Sequence, residues 1–255
     1  MITIKRLTKL EEFKRTMEIQ KNAWGVSDLE IDPPFLMART QKYGGLVLGL
    51  FLDKECIGFS YGIVGKWEGK FFLFSYMTAV IQEYQGQGLG FLLKKAQREE
   101  ALKKGFDIIR WNFDPLESLN AFFNIHRLGI ISKEYEQNIY GEGESGLDKG
   151  LPTDRLVATW KLTSKRVIEK METKEPSIIE EVPETQIGNL NKKITYIEIP
   201  RDIRLLKKKD LSQAYQWRLK TRELFELAFQ NEFIVSDIVF SEDKQRIFYK
   251  LTKKD

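Results

Sequence analysis

Apolar and polar residues alternate in short runs over the first two thirds of the chain, and the period switches between two and about 3.6. Residues 2–7 alternate as a strand does. Thr8 and Glu11 have the spacing of a capping box, and the pattern behind them predicts a helix to about Ala23. Asp32-Pro33-Pro34 predicts a second helix, capped by Asp32 with Pro33 in its first turn, that ends at Gly44-Gly45. Strand patterns follow over residues 46–52, 56–64 and 71–80, with turns at 53–54 and 67–70. The next helix ends at Gly105 and carries Leu92, Leu93, Ala96 and Ala101 as its apolar face. A strand over 106–113 leads to Asp114-Pro115, which opens a helix that stops at Gly129. Strand patterns at 133–140 and 155–162 enclose a loop rich in glycine and acid, residues 141–150.

After residue 162 the character changes. Residues 163–189 are dominated by Lys, Glu, Thr and Pro and read as a helical or loose linker. Residues 190–255 read as a small β-α-β-β appendage. Its strands fall at 192–199, 233–240 and 245–251, and its amphipathic helix at 210–230 carries Tyr215, Trp217, Leu224, Phe225 and Phe229. So small a unit has little core of its own, so it is expected to pack on the first domain or on a second copy of the chain, as a homodimer. The basic run over 204–209 reads as a solvated face.

Chemistry concentrates in residues 85–90, Gln-Gly-Gln-Gly-Leu-Gly, between a strand pattern and a helix pattern. Three alternate glycines leave backbone N–H groups bare and admit a ligand without meeting a Cβ. The helix behind them adds its unsatisfied first donors and its positive dipole end, which makes a seat for phosphate. A Walker loop is excluded, because no Gly-x-x-x-x-Gly-Lys-Ser/Thr string occurs. A dinucleotide fingerprint needs glycine where Phe91 stands, and it opens its domain instead of following several strands.

Composition narrows the function classes. The chain has 255 residues, of which 42% are hydrophobic, enough for a substantial core. Its 41 basic and 37 acidic residues leave a net charge of +4, too balanced to point to nucleic acid or an anionic membrane. Cys56 is the single cysteine, so neither an internal disulfide nor a cysteine zinc site is expected. The start, Met-Ile-Thr-Ile-Lys, reads as a strand and not a signal peptide, and no apolar run reaches the roughly eighteen residues of a membrane span. A cytoplasmic protein is the expectation.

Gln85, Gly88 and Gly90 fit the string Gln/Arg-x-x-Gly-x-Gly/Ala, and here the chain resembles the GNAT acetyltransferase superfamily, whose acyl-CoA pyrophosphate loop has that form. The lead-in over 79–84 is similar to the family's Val-x-Pro-Glu-Tyr, with Gln82 at the proline position. The predicted order over residues 1–162 is that of the GNAT fold, an α/β architecture with a mixed central sheet flanked by helices. Residues 111–116, 120–124 and 151–155 resemble a branch of predicted GNAT acetyltransferases, and that likeness extends into the appendage. The resemblance implies acetyl-CoA as co-substrate, no metal, and direct acyl transfer in a ternary complex to a small-molecule or peptide amine. It implies a CoA site made of Ala79, Val80, Ile81, Gln85, Gly86, Gln87, Gly88, Leu89, Gly90, Asn120 and Phe123. The family's helix after Asp114 also carries a Tyr that protonates the leaving thiolate. Here that position is Ile125, and its usual Asn position is Ser118.

Acid–base candidates are therefore sought nearby. His126 is the only histidine and stands beside position 125, with an ordinary pKa near 6.5. Tyr135 and Tyr140 lie on the following strand pattern and offer phenols. Glu83, Asp114 and Asp154 read better as turn, cap and corner groups. In the family the segment holding Trp24 and Asp32-Pro33-Pro34 walls the acceptor pocket. The missing Tyr leaves a second reading, a CoA-binding module without turnover that acts through its appendage.

Overall fold

The computed structural model describes residues 1–141, 149–173 and 178–253. The chain separates into two compact units, residues 1–111 and the described residues from 112 onward. The first unit is a meander, β1 (Ile2–Arg6), β2 (Leu46–Leu52), β3 (Glu55–Trp67) and β4 (Lys70–Val80), antiparallel throughout. β5 (Ile108–Phe113) then joins β4 in parallel, which makes the sheet mixed. Three helices flank it: α1 (Leu10–Trp24), α2 (Pro34–Lys42) and α3 (Leu89–Lys103). Ser60 of β3 meets Gln97 of α3, whereas its neighbours Phe59 and Tyr61 meet Trp24 and Thr40. Alternation along the strand therefore puts α3 on one face and α1 with α2 on the other. Burial on both faces is why β2 is a continuous apolar run.

Three local expectations are corrected. Glu12, not Glu11, closes the start of α1, because its carboxylate accepts from the N–H groups of Thr8 and Lys9. Asp32 does not cap α2. That helix begins at Pro34 with Pro33 as its N-cap, which leaves the Asp32 carboxylate outside the helix. The buried face of α3 is Leu89, Leu93, Lys94, Gln97 and Ala101, whereas Leu92 is exposed. Two polar residues sit on that face because serines of the sheet receive them.

The second unit starts inside β5. α4 (Ser118–Ala121) runs straight into a π turn over Phe122–Arg127 and stops at Gly129, whose φ is 73°. The strand expected over 133–140 is confined to β6 (Tyr135–Glu136), paired with β7 (Arg155–Lys161). Of the loop expected at 141–150, residues 142–148 lie outside the described residues. The expected linker contains α5 (Lys165–Glu172), capped by Ser164, and β8 (Ile178–Ile179). The appendage follows as β9 (Ile194–Ile199), α6 (Ile203–Lys209), α7 (Leu211–Gln230), β10 (Phe233–Phe240) and β11 (Ile247–Lys253). Its sheet has the order β8-β10-β11-β9, and α7 packs on β9 and β10.

The compact units divide at Trp111, and packing explains it. Phe225 of α7 stacks on Tyr135 at 5.7 Å, the Tyr249 phenol donates to the Pro115 carbonyl, and Ser132 bridges Val235. Residues 112–162 and the appendage share one core, which gives the small C-terminal sheet the apolar partner it needs.

Candidate functional site

The β4–α3 turn is built backbone first. Ile81 continues the ladder through its N–H to the Ile57 carbonyl, and a single 3₁₀ turn follows over Gln82–Tyr84. Asn22 at the end of α1 accepts from the Gln82 N–H at 2.7 Å and pins that turn. The chain then enters the left-handed region at Gly86 (φ 77°) and Gly88 (φ 79°), where a side chain would be strained. A Cβ added at Gly86, Gly88 or Gly90 would meet nothing within 4 Å, so the turn is open to an incoming group. α3 starts at Leu89, and its first N–H groups have no intrahelical carbonyl to bond. Exposed donors, a helix N-terminus and vacant space above three glycines suit a pyrophosphate. Gln85 and Gln87 serve the turn itself. Gln85 donates to the Val80 carbonyl at 2.8 Å and Gln87 to the Glu83 carbonyl.

Beside this turn the sheet opens. β4 and β5 pair only at Leu73–Ile109 and Phe74–Arg110, although β4 runs on to Val80. Past Phe74 no further β4–β5 pair forms, which leaves the backbone of β4 on that edge open to a ligand's amides. Ala79 and Val80 lie on this free stretch and are buried. Gly58 opposite them is required, since a Cβ there would come within 2.7 Å of the Ala79 carbonyl oxygen.

A bulge marks the place where the strands separate. Met77 pairs with Tyr61 and Ser75 with Gly62, which makes Tyr76 the extra residue and re-aims its side chain. On the α1–α2 face the Tyr76 phenol donates to Asp32, and its ring meets Tyr61 edge-on at 5.7 Å. Asp32 is half-buried, and burial holds its carboxyl above the ordinary carboxylate range against the opposing effect of that hydrogen bond. Its backbone is clamped on both sides by the buried amide of Gln20, which accepts from the Asp32 N–H at 2.9 Å and donates to its carbonyl. Burial also raises the Tyr61 phenol, which shares a 2.9 Å hydrogen bond with Thr40. Thr40 in turn lines an open cavity of about 370 Å³ with Arg39, Tyr43, Gly45, Ile63 and Val64. Trp24 packs edge-on against Phe59 and is a wall of the same face.

On the α3 face, directly beneath the parting strands, lies Lys94. Its side chain is almost wholly buried at 4% exposure, and its Nζ donates to Ser75 Oγ at 2.7 Å and Gln97 Oε1 at 3.2 Å. The same ammonium sits 3.9 Å from the centre of the Trp111 ring. Burial pushes it down to about 7.

No family model and no curated protein matches the sequence. Solved structures do match. A candidate acetyltransferase of the GNAT family from Desulfovibrio desulfuricans superposes with a TM-score of 0.52 at 14% identity, covering 64% of this chain and 100% of that one. A chain of the NatC complex bound to Gag peptide and CoA gives 0.51 at 17% identity, covering 64% and 99%. The candidate acetyltransferase yncA of Salmonella typhimurium, with its cofactor acetyl-CoA, gives 0.50 at 16%, covering 64% and 95%. The fold is the GNAT fold.

The residues proposed from sequence for the second half of the site divide between buried packing and the exposed surface. Ile125, at the usual Tyr position, is fully buried. His126 is 1% exposed, stacks on Phe122 at 4.8 Å and places Nδ1 3.2 Å from Asp237. The π turn adds a residue to the helix, so the usual step per residue does not predict where 126 points. The Tyr135 phenol donates to Asp154 at 2.7 Å, and burial with that carboxylate holds its pKa far above the ordinary value. Tyr140 is 62% exposed under the Arg155 guanidinium. Asn120 is exposed and accepts from Asn124, and Phe123 is half-buried. Asp114 accepts from the Leu116 N–H and from buried Arg218 at 2.6 Å.

Sequence reasoning missed Tyr76, Gln20 and Lys94. A lysine at 94 and a glutamine at 97, in step with Leu93 and Ala101, was a legible sign of a polar group on a buried helix face. Nothing in the sequence marks the bulge that turns Tyr76 toward Asp32.

Proposed function

We propose that this chain is an acyl-CoA-dependent N-acyltransferase that acts by direct attack of an amine on a bound thioester. The observation that carries the reading is the glycine turn at 85–90, open, left-handed at Gly86 and Gly88, and set at the N-terminus of α3 in a GNAT fold. Two matched structures support the co-substrate, one with CoA and a peptide and one with acetyl-CoA. The 64% coverage supports an acyltransferase region of about residues 1–162, with 163–189 as connection and 190–255 as an added sheet.

Bound CoA supplies the activated acyl group, and this chain's residues do the rest. The N–H groups of the turn and of Leu89 and Gly90 hold the pyrophosphate. The free edge of β4 holds the amides of the arm. Asp32, already reluctant to carry charge, accepts the proton that an ammonium must lose before it attacks, and Tyr76 orients that carboxylate. The leaving thiolate takes the second proton released from the attacking nitrogen. His126, Tyr135 and Tyr140 remain proposals of second rank, since each already has a packing or hydrogen-bonding role.

One observation favours the alternative of a CoA-binding module without turnover: a buried Ile125 offers no phenol to a thiolate. Thiol release from acetyl-CoA, followed with a panel of small amines and peptide N-termini, separates the readings. Steady release with any acceptor establishes the transferase. CoA binding without release across the panel establishes the module.

A further inference from the structure

Among the described residues of the first unit, no carboxylate is recorded as a partner of the buried Lys94 ammonium. β2, β4 and β5 contain no Asp or Glu. The carboxylate of β3, Glu55, stands at its first residue and bonds Arg15. On α3 itself Glu99 is exposed and Glu100 is engaged by Arg6 and Lys103. A lysine buried this deeply is rare unless paired. Neutral partners take its place here: Ser75, Gln97 and, through Gln97, Ser60 at 2.8 Å.

Its position makes the mismatch informative. Lys94 bonds Ser75 on one strand and faces Trp111 on the other, and these are the first residues past the last β4–β5 pairs. The amine therefore lies under the apex of the opening. Ser75 stands five residues before Val80, about 17 Å back along β4 from the strand end that leads into the glycine turn. That is the reach of an extended pantetheine arm, so the acyl end of a donor seated on the turn arrives at this apex. A floor built for an acetyl or alkyl group would be apolar, and this one presents an amine held by a hydroxyl, an amide and an indole ring.

We propose that Lys94 recognises an acyl donor ending in a carboxylate, so that the preferred co-substrate is a short dicarboxylic acyl-CoA such as succinyl-CoA. The inference rests on the acyl-CoA reading above. The transfer balances without another reactant: the amine nitrogen bonds the thioester carbonyl carbon, the C–S bond breaks, and CoA leaves as the thiol with a proton from nitrogen. The product is an amide that keeps the free carboxylate.

Calorimetric titration of the full chain with acetyl-CoA, butyryl-CoA and succinyl-CoA tests it. Butyryl and succinyl groups have equal chain length and differ in the terminal charge. The expected result is succinyl-CoA binding at least tenfold tighter than butyryl-CoA, with the preference lost in Lys94→Met. Equal or weaker succinyl-CoA binding in the unmodified chain, or a preference that survives Lys94→Met, overturns the proposal while acetyl-CoA binding leaves the acyltransferase reading standing. Failure of all three thioesters to bind overturns both. The unmodified chain decides the matter even if the variant does not fold.

Discussion

Both compact units bury charge, and they treat it in opposite ways. In the second unit every buried carboxylate of the Asp114–Asp154 cluster has an arginine. Asp154 takes a two-pronged bond from Arg222 at 2.7 and 2.8 Å, the Tyr135 phenol and the Asn138 N–H, while Asp114 takes Arg218. In the first unit Lys94 has only neutral partners, and Asp32 has a phenol and no cation among its described partners. Matched charge holds helix α7 to residues 112–154 and serves structure. Unmatched charge costs stability in the resting protein, and perturbed titratable groups cluster at functional sites. The buried amine and the raised carboxylate sit on opposite faces of the sheet where β4–β5 pairing ends.

That contrast can be broken by substitution. The largest effect is expected at Asp32. Asp32→Asn keeps the shape and the Tyr76 hydrogen bond and removes the base, so turnover should fall about 10²- to 10⁴-fold at neutral pH. Stability should not fall with it. A carboxyl whose folded pKa is raised is destabilising above its ordinary range, so the neutral amide is neutral or stabilising there. Parallel thiol-release rates and urea melts check both halves, and a variant that loses stability along with activity would place Asp32 with the structural charges.

The reverse is expected at Asp154. Asp154→Ala leaves Arg222 and Tyr135 without their acceptor and should cost about 3–5 kcal/mol in urea unfolding. A loss below about 1 kcal/mol would show that the cluster is not what holds α7 in place.

The smallest effect is a pH dependence. The Lys94 amine, lowered to about 7, binds fewer protons folded than unfolded between pH 7 and its ordinary 10.5. Stability should therefore rise with pH across that window, by about 1.4 kcal/mol per unit relative to Lys94→Met, and the difference should flatten below pH 7. Melts of both proteins at pH 6.5, 7.5 and 8.5, as about one-unit steps across the lower edge of that window, read the slope. Parallel curves would mean that the buried amine is not penalised.

Much of the frame is legible in the sequence alone. Hydrophobic period and turn residues placed β1 to β5 and the three helices of the first unit to within a few residues, because each is a local pattern bounded by Gly, Pro or Asp. The glycine turn was legible for the same reason. Long-range facts were not. The partner that α7 would choose depends on Arg218 and Arg222 meeting Asp114 and Asp154 across a long stretch of chain, which no local spacing encodes. His126 illustrates the limit within one element, since a π turn changes where each residue of that helix points. Tyr76 illustrates it across two strands, since the bulge exists only in the register of β3 with β4.

The central claim is that the turn at 85–90 seats the pyrophosphate of CoA, and Gly88→Val tests it most directly. Valine at a φ of 79° is strained, and its branched side chain fills the space above the turn. With CoA at a hundred times its dissociation constant, the unmodified chain should gain about 2.7 kcal/mol of stability, and the variant, still folded, should gain none. A variant that binds CoA as tightly as the unmodified chain, or an unmodified chain that gains nothing at millimolar CoA, contradicts the account.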